Sequence, residues 1–302
     1  MRQEAYFCTV KELDELGKNN IPRQLISHTH LIYSSPATLA FNSPGAEGFG
    51  VKRAGLAVPD SVMLIVSPGC CGRNTSVLSS MRAYQDRFYY LLMDETDIVT
   101  GRHLKKIPKA VAEICEGLKK KPSVVMICIT CVDALLGTDM ERVCHKAEEY
   151  AGVPVRPCYM YALTREGRKP PMVHVRQSVY SLLEPKKKKG NVVNLLGYFS
   201  PLTDDCELYD LLHGAGVKTI HEISRCKDYA QYQTMSEANF NLVLHPEARF
   251  AAEDFHDRLK IPYIELRRLY QIDKIASQYR AFAAALGVEF EDEIPRKAAE
   301  EA

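Results

Sequence analysis

The sequence predicts an α/β protein with two doubly wound, parallel-sheet domains. Short β-branched apolar runs recur along the chain, helical periodicity fills the intervals, and a lysine-rich break splits the alternation into two halves. Runs that are apolar throughout suit a parallel sheet covered by helices on both faces. With 302 residues, 46% of them hydrophobic, the chain can build two cores of roughly 100–150 residues each.

The elements follow in order. Residues 62–66 (VMLIV) read as a buried strand that enters a turn at Ser67, Pro68 and Gly69, and Cys70 and Cys71 sit in that turn. Asn74, Thr75 or Ser76 can cap a helix, and 88–93 (FYYLLM) is the next strand. Leu104, Ile107, Val111, Ile114 and Leu118 give 101–120 a helical stripe. A third strand at 123–129 (SVVMICI) runs into Thr130 and Cys131. A helix over 141–150 and a strand over 153–159 complete the first half.

Residues 184–190 (EPKKKKG) read as a solvated linker, because four consecutive lysines resist burial. Strands are then expected at 191–199, 217–223, 240–244 and 261–266. Helices are expected at 204–213, 228–238, 248–259 and 272–286. The expected domains are 1–185, binding a metal cluster, and 186–288, followed by a charged tail over 289–302.

Thirty-nine basic residues against thirty-eight acidic ones leave a net charge of +1, so no global field draws in nucleic acid or an anionic membrane. Without a run of about 18 apolar residues or an apolar leader, a cytoplasmic location is expected. Ten cysteines in such a compartment point to metal binding or redox work rather than disulfides.

Ligands of open parallel sheets bind beyond the carboxyl ends of the strands. Cys70 and Cys71 follow the first strand and Cys131 follows the third, so both loops can meet despite roughly 60 residues of separation. Converging thiolates suit an iron-sulfur cluster, zinc or copper(I). Cys128 has ligand-like spacing from Cys131 but lies in an apolar strand; were the strand to continue, alternation would put the two on opposite faces, favouring Cys131. A thioredoxin-like CxxC normally opens a helix, whereas this one closes a strand. Cys8, Cys115, Cys144, Cys158, Cys206 and Cys226 read as packing residues.

Larger motifs are more specific. Ser67, Pro68, Gly69, Cys70, Cys71 and Gly72 resemble the Gly-Pro-x-Gly-Cys loop of the nitrogenase component 1 family, with Cys71 on its ligand cysteine. That family includes protochlorophyllide and chlorophyllide reductases, cofactor-maturation scaffolds and the nickel-sirohydrochlorin reductive cyclase. Cys131 with Leu135, Leu136, Gly137, Thr138, Asp139 and Met140 resembles its second ligand motif. Asp94 to Gly101 resembles the segment between, and Asn194 to Gly197 the start of the next domain. Two departures stand out. Phe41 occupies the place of the family's first ligand cysteine before Gly45 and Ala46, and no cysteine lies between Cys8 and Cys70. Cys70 is then the candidate replacement. Catalytic family subunits carry three Rossmann-like domains, and the pattern here shows two.

The resemblance implies an oxidoreductase fold of two Rossmann-like domains holding an iron-sulfur cluster, 4Fe-4S or larger and fused. The ligands it implies are Cys70, Cys71 and Cys131, with Cys128 as a further candidate, and Gly69 and Gly72 let the backbone approach the sulfurs. The cluster would sit at the interface of a homodimer or a heterodimer with a related subunit. An ATP-dependent iron protein would deliver low-potential electrons to it. The alternative is a non-catalytic scaffold or carrier for cluster or metallocofactor assembly, and a zinc-stabilised structural protein is the third reading. His28 and His30, Arg165, Arg168 and Lys169, and His174, Arg176 and Gln177 are weaker polar candidates; Tyr159 and Tyr161 read as packing aromatics.

Overall fold

A computed structural model of the chain describes residues 9–17, 20, 50–69, 79–160 and 169–289. Helices α1 (Val10–Leu16) and α2 (Gly50–Gly55) precede β1 (Val62–Ser67), every residue of which is buried. The edge strand β2 (Phe88–Leu92) buries Phe88 and then alternates half-buried Tyr89 and Leu91 with exposed Tyr90 and Leu92, as an edge does. Asp94 caps α3 (Glu95–Thr100) in a reciprocal capping box with Asp97. Gly101, at φ 65°, ends α3 and starts α4 (Arg102–Gly117). There follow β3 (Val125–Ile129), α5 (Cys131–Leu136), α6 (Met140–Ala151), β4 (Val155–Tyr159) and α7 (Pro171–Tyr180).

The second half runs β5 (Val192–Leu196), α8 (Glu207–Gly214), β6 (Thr219–His221), α9 (Tyr229–Gln233), β7 (Phe240–Val243), α10 (Arg249–Leu259), β8 (Tyr263–Glu265) and α11 (Ile272–Leu286). Both halves form four-stranded sheets of the same order, β2-β1-β3-β4 and β6-β5-β7-β8, with all six pairings parallel. The two similar halves expected from sequence thus share one winding pattern.

Strand alternation assigns the faces. Val62, Leu64, Val66, Val125, Ile127 and Ile129 pack with Ile107 and Val111 of α4 and with Met140, Cys144 and Ala147 of α6. Met63, Ile65, Met126, Cys128 and Cys158 face the other way, into a core that also takes Val175 and Val179 of α7, Leu196, Val243 and Phe255. One apolar core therefore runs from the first sheet to the second, with α7 inside it. A third cluster, Val193, Leu195, Leu242, Leu212 and Phe282, covers the far face of the second sheet.

Apart from β1, which runs one residue beyond its apolar run, the strands are shorter than the runs that predicted them, since the outer residues of each run lie beyond the paired ladder. The helix α7 carries no sequence stripe because it is covered on several sides, and its polar residues are structural. Arg176 Nη1 donates to Glu247 Oε2 at 2.9 Å and Nη2 to Gly197 O at 2.6 Å. Gln177 Nε2 donates to Asp254 Oδ2 at 2.7 Å, and the His174 ring meets that of Tyr159 edge-on at 5.0 Å. Lys169 lies over the Phe250 ring, 4.6 Å from its centroid. In the lysine run Lys186 and Lys187 are exposed, while Lys188 Nζ donates to Ser236 O at 2.6 Å and Lys189 pairs with Glu237. No helix among the described residues is long and apolar enough to cross a membrane.

Candidate metal centre

The carboxyl edge of the first sheet is built by β1 and β3. They are neighbours, with Val66 paired to Ile129, so Ser67 and Thr130 leave the sheet side by side. Cys131, the first residue of α5, follows at once. Cys70 and Cys71 come three and four positions after Ser67; with Gly72 they lie outside the described residues. Four residues span at most about 14 Å, so the covalent chain keeps Cys71 within that reach of the same edge. Gly69 is exposed, with open space where a Cβ would stand.

Ser67 is 0% exposed and Thr130 3% exposed. Neither hydroxyl has a hydrogen-bond partner among the described residues. Buried hydroxyls with unused donors are unusual. Beside the thiolate-bearing segments they can donate to sulfur acceptors, so this donor set fits a metal-sulfur cluster. Among the described residues no group of three or more His, Cys, Asp or Glu could hold a metal ion. Of the expected ligands, Cys131 opens α5 at this edge, and Cys70 and Cys71 lie outside the described residues.

Behind Cys131 stands a buried polar pair that sequence reasoning missed. Asp133, in the first turn of α5, accepts from Thr138 Oγ1 at 3.1 Å, and its Oδ1 lies 2.9 Å from His103 Nε2. His103 Nδ1 lies 3.0 Å from Asp97 O, which can only accept, so Nδ1 carries a proton and one further proton lies between Nε2 and Asp133. Asp97 is held in turn by Lys106 and Arg102, at 2.7 and 2.6 Å, and these donors keep its carboxyl well below the usual carboxylate range. This chain of contacts ties α5 to α3 and α4. An aspartate two positions after Cys131, within an otherwise apolar stretch, was the available signal.

Cys128 is 0% exposed in β3, paired in register with Ile65 and Cys158, and packs into the core shared by the two sheets. The third strand ends at Ile129, as expected, and Cys131 opens a helix, so the CxxC spacing straddles two elements and the motif does open a helix rather than close a strand. Cys115, Cys144 and Cys158 are buried, and burial raises each thiol above its ordinary value, most strongly at Cys144 and Cys158. Burial pushes Cys226 up to about 11. Protonated, desolvated thiols are packing groups rather than ligands. Cys8, His28, His30, Phe41, Tyr161, Arg165 and Arg168 lie outside the described residues.

Comparison with known proteins agrees with this architecture. The family model described as nitrogenase component 1 type oxidoreductase matches residues 47–302. The nitrogenase iron-molybdenum cofactor biosynthesis protein NifE of Nostoc sp. is 27% identical over 239 residues, 76% of this chain and 49% of that protein. NifE of Klebsiella pneumoniae is 26% identical over 266 residues, 81% of this chain and 58% of that protein. The chain therefore spans about half the length of these curated relatives. Among solved structures, nitrogenase Cp1 at pH 6.5 superposes with a TM-score of 0.61 at 17% identity, covering 83% of this chain and 59% of that one. Nitrogenase Cp1 at pH 5 gives 0.59 at 20% identity, covering 94% and 58%.

Proposed function

Because the chain belongs to the nitrogenase component 1 type oxidoreductase family, we propose that it carries an iron-sulfur cluster on Cys70, Cys71 and Cys131 and serves as a scaffold or carrier for metallocofactor assembly. The observation that supports this reading is the side-by-side exit of β1 and β3, the strands that lead into Cys70–Cys71 and Cys131. Scaffolding is favoured over electron acceptance because the curated relatives are named for cofactor biosynthesis.

Three thiolates per chain are one short of the four that a 4Fe-4S cluster takes. A second copy of the chain, or a related subunit, supplies the remainder across an interface at this edge. When bound, the cluster supplies low-potential electron storage. This chain's own residues hold it: the thiolates ligate, and the Ser67 and Thr130 hydroxyls donate to sulfur. The Asp133–His103 pair fixes the first turn of the helix that Cys131 opens. Cys128 serves the core.

Anaerobic reconstitution with iron and sulfide tests the assignment. Cys71→Ala and Cys131→Ala are expected to lose the visible absorption while keeping the far-UV circular dichroism of the fold, and Cys70→Gly to lower iron and sulfide content. Full iron and sulfide in either alanine variant sinks the ligand set. Release of the cluster to an apo-ferredoxin identifies a carrier, whereas ATP-dependent reduction by an iron protein identifies the electron-accepting reading instead.

A further inference from the structure

The helix that presents Cys131 is six residues long, Cys131–Leu136. A helix of under two turns has little stability of its own, so its place is imposed by what its side chains hold. Among the described side chains of α5 the inward one is Asp133, at 0% exposure; Val132 is half-buried and Leu136 is exposed. The helix is therefore anchored on a carboxylate rather than on an apolar side chain. A carboxylate so deeply buried needs partners that offset its lost hydration.

Partners come from two sides. Thr138, beyond the C-terminal end of α5, gives its backbone N–H to Asp133 O and its hydroxyl to Asp133 Oδ1, both at 3.1 Å. Gly137, at φ 66°, makes the turn that brings Thr138 back over the helix. These bonds are internal to the 131–138 segment and cannot orient it against the sheet. His103 of α4, 1% exposed, does so: Nε2 lies 2.9 Å from Asp133 Oδ1 while Nδ1 donates to Asp97 O at 3.0 Å. The imidazole thus bridges α5 to the capping box of α3. Asp133 Oδ2 is buried with no partner among the described residues, so the side-chain bonds that locate α5 converge on Oδ1.

Residues two apart in an α-helix stand about 200° apart round its axis. A fixed Asp133 therefore fixes the azimuth of position 131. We propose that His103 is a positioning residue for the Cys131 ligand: through Asp133 it sets the rotation of α5, and so the direction from which residue 131 meets the cluster. The inference rests on the proposed role of Cys131 as a ligand. Groups one step behind a metal ligand typically matter by roughly 10–100-fold in metal affinity.

Substitution separates the two imidazole nitrogens. An asparagine amide reaches the Nδ1 place and keeps the bond to Asp97 O, whereas a glutamine amide reaches the Nε2 place and keeps the bond to Asp133. The full chain, reconstituted anaerobically with iron and sulfide, is mixed with the chelator bathophenanthroline and its iron release is timed; reduced samples are compared by electron paramagnetic resonance. His103→Asn and Asp133→Ala are expected to release iron at least about tenfold faster than wild type and to share an altered resonance, while His103→Gln stays within about twofold and keeps the native resonance. Equal release from the asparagine and glutamine variants overturns the proposal, as does wild-type release from Asp133→Ala. Should His103→Asn not fold, Thr138→Val decides, since it strips one bond from the same carboxylate: severalfold faster release supports the proposal and unchanged release overturns it. Thermal melts of the iron-free proteins identify a merely structural loss, which lowers the melt of both His103 variants without parting their release rates. Full iron in Cys131→Ala overturns the ligand set and this proposal with it, whereas iron loss there with equal asparagine and glutamine rates overturns the positioning role alone.

Discussion

Replacing Arg176 with alanine tests whether the two sheets are held together by a buried charge as well as by the shared apolar core. The side chain is 5% exposed. It donates to Met172 O and Glu247 Oε2 at 2.9 Å and to Gly197 O at 2.6 Å, and its guanidinium lies 5.0 Å from the Phe199 ring centroid. Truncation removes the Gly197 carbonyl's donor and leaves the Glu247 side chain, 15% exposed, without its cation. Breaking a buried pair costs about 3–5 kcal/mol, and the partial solvent access of Glu247 places this case at the low end, about 3 kcal/mol. In a chain of this size that corresponds to a fall in Tm of roughly 6–10 °C. Urea unfolding followed by far-UV circular dichroism, on Arg176→Ala, Glu247→Gln and the double variant, measures both the loss and the coupling. Losses that fail to add by at least about 1 kcal/mol are expected for groups in one network. A loss under about 1 kcal/mol for Arg176→Ala, or strictly additive losses, refutes the reasoning. Arg176→Lys keeps the charge but cannot span both acceptors with a fork, and falls between alanine and wild type.

Three further outcomes follow from the same geometry. Hydrogen bonds from Lys106 and Arg102 hold the Asp97 carboxyl below its ordinary value, so the folded state binds fewer protons than the unfolded chain in acid. Its contribution is complete above the ordinary carboxylate pKa of about 4 and declines as the pH falls; Asp97→Asn should flatten the difference between urea midpoints at pH 5 and pH 3. At Gly197 a Cβ would meet backbone nitrogen and carbon of the 244–245 segment, 2.8 and 3.3 Å away, so Gly197→Ala should cost roughly 3 kcal/mol in urea unfolding. Cys128→Ala leaves a small cavity in the shared core; about 1–2 kcal/mol of stability should go while reconstituted iron and sulfide stay at the wild-type level.

Much of the fold was legible because a parallel strand buried on both faces has no choice but to be apolar throughout. The runs around Val62–Ser67, Val125–Ile129, Val192–Leu196 and Phe240–Val243 became the two central strands of each sheet. The striped helix over Ile272–Leu286 was readable to the residue, since one face packs through Phe282 and the rest meets solvent. The extent of α7 was not readable, because burial on several sides erases the stripe, and Arg176 stood only as a weak polar candidate.

At the candidate site the division is similar. Cysteines after the first and third strands, and the motifs around Asp94 and Gly137, are local facts of spacing that the sequence carries unaided. Whether Cys128 or Cys131 leaves the sheet depends on where β3 stops pairing, and that is settled by its neighbours β1 and β4. The placement of His103 against Asp133, thirty residues apart, depends on how α4 and α5 lie at the sheet's edge. Sequence by itself determined the alternation of elements, the two halves and the cysteine-bearing strand ends, because burial and backbone pairing dictate residue type locally. Only the tertiary structure decided which strand ends are adjacent and which polar groups face one another, because strand order is chosen by packing between segments remote in sequence.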